Sequence, residues 1–203
     1  MGRKRNSPGH RRTRFSLLSI ASVRASALPL IFFVVSTAAA AERRGLLQVR
    51  IKDHREAISD FSKVTLTIAE ILLSVKPGFR FWQNRWKTLD PHPPSVDLTQ
   101  YVSGKSAAVF RGHLEPASFD AIHLKLKDID ATFKSGQRNA PIKNLVGPVK
   151  MGFTVQAESE TTIVLDLVVL DLKDHPPRGY ELVIKGYELY TDGKLIDKVP
   201  PGQ

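Results

Sequence analysis

Apolar and polar residues alternate through most of the chain after residue 45, and this period of two predicts β-strands. The densest such run is 161–172 (TTIVLDLVVLDL), in which Ile163, Leu165 and Leu167 alternate with a second set that is also largely apolar. Successive side chains of a strand point to opposite faces, so other residues must cover both faces of this segment. We therefore predict that 161–172 is a central strand of a two-layer β domain.

Shorter alternating segments predict the remaining strands. They include 46–51, 119–127 with a break at Asp128, and 180–184. The run 63–75 changes parity between Ile68 and Ile71, which predicts a β-bulge at 69–70. A single helix is the alternative for this run, but its Val, Thr and Ile content favours a strand. Within the final segment, 187–199, Asp192-Gly193 predicts a two-residue hairpin turn.

Together these segments give nine to eleven short strands with closely spaced turn signals and no long amphipathic helix. This profile is typical of an all-β fold, and we predict an antiparallel β-sandwich of immunoglobulin-like or transthyretin-like Greek-key topology. A chain of 203 residues is long enough for one such domain, which we assign to 42–203.

The first 41 residues have the layout of an export signal. Seven Arg and Lys residues and no acidic residue precede Glu42, and an apolar run at 25–41 ends in small residues. We expect cleavage at or near Ala41; a retained N-terminal anchor is the alternative. Arg11-Arg12 resembles a twin-arginine signal only in part, because Arg14 stands where that signal has an apolar residue. The length of the basic region leaves the true start codon open.

The formal net charge of +10 is concentrated in this leader, since the rest of the chain has 23 basic and 20 acidic residues. The predicted mature domain therefore lacks the basic excess of a nucleic-acid-binding protein.

The chain contains no cysteine. This excludes disulfides, thiol catalysis, cysteine-based zinc sites and a lipid anchor on an N-terminal cysteine, so stability must come from the packed core.

An aromatic and basic segment is the strongest candidate for a contact surface. Its members are Phe79, Arg80, Phe81, Trp82, Arg85 and Trp86, and no acidic residue interrupts the stretch 76–89. Flat aromatic faces beside cations stack on sugar rings or bind anionic polymers. The alternative is that Trp86 and one phenylalanine fold back into the core from a hairpin.

The acidic and histidine residues give weaker signals. Oxygen ligands from Asp53, Asp97, Asp166 and Asp171 could form a calcium site, but the spacing matches no known calcium loop. For Asp166, inside an apolar strand, hydrogen bonds from backbone or hydroxyl groups are the structural alternative. The histidines show no metal-binding spacing, so we predict neither a metal site nor a cofactor. Hydrolase and nucleotide-binding motifs are absent from the sequence.

Several short motifs resemble a known family, the bacterial secreted domain of unknown function 4382. They lie at 45–53, 64–71, 86–89, 96–98, 114–119, 122–124, 165–167 and 180–182. The chain departs from the family pattern at Ser118-Phe119, where Gly-Tyr is preferred, and at Ile184-Lys185, where proline is preferred. The resemblance implies an exported β domain and supplies no catalytic mechanism.

These observations favour a non-catalytic binding or structural module of the cell envelope. Its expected partners are an envelope polysaccharide or an envelope protein, with no nucleic acid, and with a membrane only through an uncleaved leader. The alternative is a carbohydrate-active or metal-dependent enzyme whose residues come together only in the folded chain.

Overall fold

Alternating sequence produces strands almost throughout the part of the chain that the computed structural model describes, which is 43–76, 86–136, 140–172 and 179–200. These residues form the following eleven strands and two short 3-10 helices: β1 (Gly45–Asp53), the first 3-10 helix (Ala57–Asp60), β2 (Phe61–Val75), β3 (Trp86–Leu89), β4 (Ser95–Asp97), the second 3-10 helix (Leu98–Gln100), β5 (Ala107–Leu114), β6 (Ala117–Phe133), β7 (Ile142–Asn144), β8 (Val149–Val155), β9 (Glu160–Asp171), β10 (Tyr180–Thr191) and β11 (Lys194–Val199).

The strands divide into two sheets. The larger sheet has the order β11-β10-β9-β1-β5, with β7 paired to β10, and the smaller has the order β3-β2-β6-β8, with β4 paired to β2. The predicted all-β sandwich is confirmed, and β9 is the central strand as its sequence predicted. Most pairs are antiparallel as expected, but β1 runs parallel to β9 and β7 runs parallel to β10. Alternation fixes which residues share a face and carries no information on strand direction.

The core lies between the sheets and is built from the inward set of each strand. In β9 this set contains Ile163, Leu165 and Leu167, all fully buried, as predicted. Val164 and Val168, on the opposite face of the strand, are also buried. At one end of the core the ring of Phe61 stacks on Phe133 at a centroid distance of 4.9 Å. Such packing stabilises a domain whose sequence has no cysteine for a disulfide.

Two predicted local features have clear structural counterparts. The pairing of β2 with β6 shifts register between Ile68 and Glu70, so the bulge predicted at 69–70 is confirmed. The predicted break at Asp128 is wrong, because β6 continues through it as one strand; Asp128 pairs with Thr67, and a second register shift follows between Thr67 and Ile68. The hairpin predicted at Asp192-Gly193 joins β10 to β11, and both turn residues have positive φ angles of 48° and 75°.

None of the described segments contains a helix of the length and hydrophobicity that crossing a lipid bilayer requires.

Candidate functional site

A cavity of about 520 Å³ is bounded by both sheets, on the side where β8 ends the smaller sheet and β11 ends the larger. Its polar lining consists of Lys76, Ser118, Thr154, Gln156, Thr161 and Thr191. Its apolar lining consists of Phe119, Phe153, Leu189 and Ile196, and Gly152 completes the wall. The cavity therefore offers hydrogen-bonding groups and an apolar surface to the same ligand.

Strand pairing holds the lining side chains in place. Ser118 and Thr154 are opposite each other on β6 and β8, and their hydroxyl oxygens are 2.9 Å apart. The next pair along the same two strands, Phe119 and Phe153, stacks with a centroid distance of 5.0 Å. Thr161, only 1% exposed, donates a hydrogen bond of 3.3 Å to the carbonyl oxygen of Thr154. This last bond links β9 of the larger sheet to β8 of the smaller.

The chemistry of this lining suits a polar ligand that has an apolar face. Hydroxyl and amide groups donate and accept hydrogen bonds. Phe119 and Phe153 belong to the core and are only 1% and 5% exposed, so the accessible apolar contact comes from Ile196, which is 56% exposed. Among the described lining residues, Lys76 is the only one with a formal charge. A bound sugar needs this combination of contacts, because it presents hydroxyl groups at its edge and C–H groups on its faces.

The predicted aromatic and basic segment begins shortly after Lys76. Phe79, Arg80, Phe81, Trp82 and Arg85 lie outside the described residues, so the segment as a whole stays a prediction. Trp86 is described: it is the first residue of β3, pairs with Ser74 of β2 and is 41% exposed. Trp86 is therefore not part of the described core, and the half of the alternative that concerns a phenylalanine lies outside the described residues.

The four aspartates considered for calcium do not share one site. Asp97 is the N-cap of the second 3-10 helix and accepts hydrogen bonds from the backbone and hydroxyl of Thr99. Asp171 lies exposed at the end of β9. Asp53 and Asp166 both line a smaller cleft of about 260 Å³, together with Lys52 and His54.

Asp53 and Asp166 are both 3% exposed, and each has one carboxylate oxygen without a hydrogen-bond partner in the described part of the chain. Burial raises the pKa of Asp53 to about 6, against a hydrogen bond from the backbone of Arg55 that lowers it. Burial also raises the pKa of Asp166. The sequence predicted backbone or hydroxyl donors for Asp166, but its Oδ2 lies 3.3 Å from the ammonium of Lys52.

A second carboxylate shares that lysine. Oε1 of Glu188 on β10 is 3.2 Å from Lys52 Nζ and 2.9 Å from Lys198 Nζ, and Oε2 accepts a hydrogen bond from Tyr190. Burial raises the pKa of Glu188, but hydrogen bonds from Lys198, Tyr190 and Lys52 outweigh it and lower the pKa to about 2. Glu188 is therefore ionised, whereas the carboxyl of Asp166 is biased towards protonation.

The histidines do not assemble around these acids. His54 is half-exposed, and its Nδ1 is 3.9 Å from Asp166 Oδ2. Across the described ranges, no three histidine, aspartate or glutamate side chains form a group that could hold a metal ion.

Sequence reasoning missed Lys52, Glu188 and the hydroxyl groups of the larger cavity. Lys52 and Glu188 occupy ordinary outward positions of alternating strands, and nothing in their spacing links them to Asp166. They meet because β1 and β10 are the two neighbours of β9. The one available signal was the acidic residue inside the apolar run of β9, since a buried carboxylate requires a partner.

Comparisons with known proteins give a family and no function. Residues 44–182 match the family model described as domain of unknown function (DUF4382). No curated protein matches the chain, and no solved structure matches it. The match covers the motifs on which the resemblance was predicted, from 45–53 to 180–182, and extends over more than half of the sequence. The chain therefore belongs to the domain of unknown function family 4382.

Proposed function

We propose that this chain is an exported, non-catalytic binding module of the cell envelope that holds a segment of a polysaccharide in the cavity between β8 and β11. The observation that supports this most directly is the lining of that cavity, where hydroxyl and amide side chains lie beside Ile196, an apolar side chain that is 56% exposed. This set of groups matches the alternating polar and apolar surfaces of a sugar ring.

The size of the cavity agrees with such a ligand. Small-molecule sites generally measure about 300–1,000 Å³ and combine an apolar lining with a few fixed polar groups. At about 520 Å³ this cavity lies within that range. Lys76 adds one cation at its wall, which favours sugars that carry a carboxylate over neutral ones.

The export part of the proposal is based on the leader. Its basic start, apolar run and small-residue end are those of an export signal, and the remaining chain has no cysteine to staple it. An exported domain without disulfides must be stabilised by its packed core, and this sandwich has a large one.

Gly152 allows a direct test, because it lines the cavity and a Cβ built on it meets nothing within 4 Å. Gly152→Phe should therefore fold normally while its ring takes up cavity space. Gly147→Phe is the matched control, since that glycine also has open space around it and does not line the cavity. Calorimetric titration with alginate, polygalacturonate, dextran and soluble peptidoglycan fragments measures binding, and tryptophan emission reports on Trp82 and Trp86.

We expect at least one polysaccharide to bind the natural chain and the Gly147→Phe variant equally, and to bind the Gly152→Phe variant at least about tenfold more weakly. Binding that survives Gly152→Phe unchanged would remove the cavity from the proposal. No binding to any of these polysaccharides by the folded protein would overturn the proposal itself.

A further inference from the structure

Lys52, Asp166 and Glu188 form a compact triad on one face of the larger sheet. Lys52 and Asp166 are register partners on the parallel strands β1 and β9, so their side chains leave the sheet side by side. The Nζ of Lys52 is 3.3 Å from Asp166 Oδ2 and 3.2 Å from Glu188 Oε1. The amine thus touches both carboxylates at once.

The side chain of Asp166 is buried at the wall of the smaller cleft, with only 3% of the residue exposed. Val164 and Val168, two residues away on the same face of β9, are 6% and 0% exposed. Gly186 is the register partner of Asp166 on β10, so that neighbour contributes no side chain between Asp166 and Glu188. Asp166 Oδ1 is buried and has no partner within the described part of the chain, so no hydrogen bond there favours the ionised carboxylate.

We propose that Lys52 and Asp166 form an intramolecular isopeptide bond, with Glu188 holding the lysine amine and carrying its proton during the reaction. No cofactor or oxidant is required. The bond would join β1 to β9 covalently, in a protein whose sequence has no cysteine for a disulfide.

The reaction balances within the triad. A proton moves from the Lys52 ammonium to the Asp166 carboxylate, which gives a neutral amine and a neutral carboxylic acid. The Nζ lone pair attacks Cγ of Asp166 to form an N–C bond. Glu188 accepts a proton from Nζ and returns it to the departing oxygen, the C–O bond breaks, and one water leaves. The products are a neutral amide and water.

Two physical effects favour these steps at this site. Burial raises the pKa of Asp166 and so favours the neutral acid that the attack requires, while Glu188 stays ionised. The amine and the carboxyl group are already in contact, so the reaction needs no collision in solution. Well-oriented intramolecular reactions of this kind reach effective molarities of about 10⁵ M and above. Burial of Asp166 also limits the access of water to the product.

The chain offers an internal comparison. Lys143 and Glu181 are also 3.2 Å apart, but the lysine side chain is 59% exposed against 17% for Lys52. The distance is nearly the same in the two pairs, but Lys143 is exposed, and among the described residues no second carboxylate lies beside it as Glu188 lies beside Lys52. The bond should therefore form at Lys52 and leave Lys143 free.

Mass spectrometry of the folded, full-length natural protein tests the proposal. The denatured protein should be lighter than its sequence mass by one water, about 18 Da. Because Asp192-Gly193 can also lose water by forming a succinimide, the decisive readout is a peptide. Trypsin should release 51–55 joined through Lys52 to 151–173, and fragmentation should place the link at Asp166.

Variants then separate the roles. Lys52→Arg and Asp166→Ala should each abolish the joined peptide, and Glu188→Gln should slow its formation by about 10²-fold or more, as expected for loss of a proton carrier. Lys143→Arg should leave the yield unchanged. A natural protein at its full sequence mass, or a loss of water without the joined peptide, would show that the triad is only an ion pair and would overturn the proposal.

Discussion

Asp53 shows how one buried carboxyl group is accommodated where β1 ends. Its Oδ2 accepts a hydrogen bond of 2.7 Å from the backbone of Arg55, whose φ of 73° turns the chain away from the sheet. Its Oδ1 has no partner in the described residues. One oxygen thus stabilises the turn, while burial of the other penalises the ionised form.

Stability should therefore depend on pH through this residue. A pKa raised from 3.8 to about 6 means that the folded state binds more protons than the unfolded state between those values. The free energy of unfolding should consequently fall as pH rises through this window, by about 3 kcal/mol from Asp53 alone.

Asp53→Asn isolates that contribution, because asparagine keeps the acceptor for Arg55 and does not ionise. Relative to the natural protein, we expect the variant to gain about 2.5 kcal/mol between about pH 4 and about pH 7.5, because part of the total change lies below pH 4. Urea unfolding of both proteins at the two pH values measures the difference. Glu188 lowers the free energy of unfolding as pH falls below about 4.5, because its pKa is lowered, but this effect is the same in both proteins and cancels. A stability difference that does not change with pH would contradict this account.

At the scale of elements, β9 organises the larger sheet. It pairs with β10 along eleven residues and with β1 along eight, and its inward side chains enter the core. At the edge of the same sheet, every residue of β11 is exposed, including Leu195 at 47%. The bulge in β11 pairing, the lysines at its two ends and Pro200 after it are devices that limit further pairing of an edge strand.

Shortening a leucine to alanine should lower the stability strongly in β9 and hardly at all in β11. Leu167→Ala in β9 removes a fully buried side chain and should lower the free energy of unfolding by about 2–5 kcal/mol. Leu195→Ala in β11 should change it by no more than about 0.5 kcal/mol. Thermal and denaturant unfolding of the two variants measures both values. Equal losses would mean that β11 is covered by something that the isolated chain does not show.

At the scale of the whole molecule, the chain divides its charge unequally. The first 41 residues hold seven of the ten net positive charges, and the sandwich that follows is close to neutral. A basic and then apolar segment before the folded domain is typical of export signals, and the proposal of export is based on it.

We expect export to remove this leader. Expressed with its natural start, the protein should be recovered outside the cytoplasm with an N-terminus at or next to Glu42, and a version lacking 2–41 should stay inside. N-terminal sequencing of each cell fraction measures this. Recovery of an intact N-terminus in the membrane fraction would favour the retained anchor, and recovery from the cytosol would contradict export.

The sequence by itself determined the class of fold, the central strand, the bulge in β2 and the hairpin at Asp192-Gly193. It could do so because side-chain alternation and turn chemistry are local: they depend on residues within a few positions of each other. The family followed from the same short motifs.

Only the tertiary structure decided which strands are neighbours. The parallel pairing of β1 with β9 brings Lys52 beside Asp166 across 114 positions of sequence, and β10 adds Glu188 to the pair. The cavity likewise needs β6 and β8 of one sheet and β9, β10 and β11 of the other. Contacts of this kind depend on the order and direction of strands, which the period of hydrophobic residues does not encode.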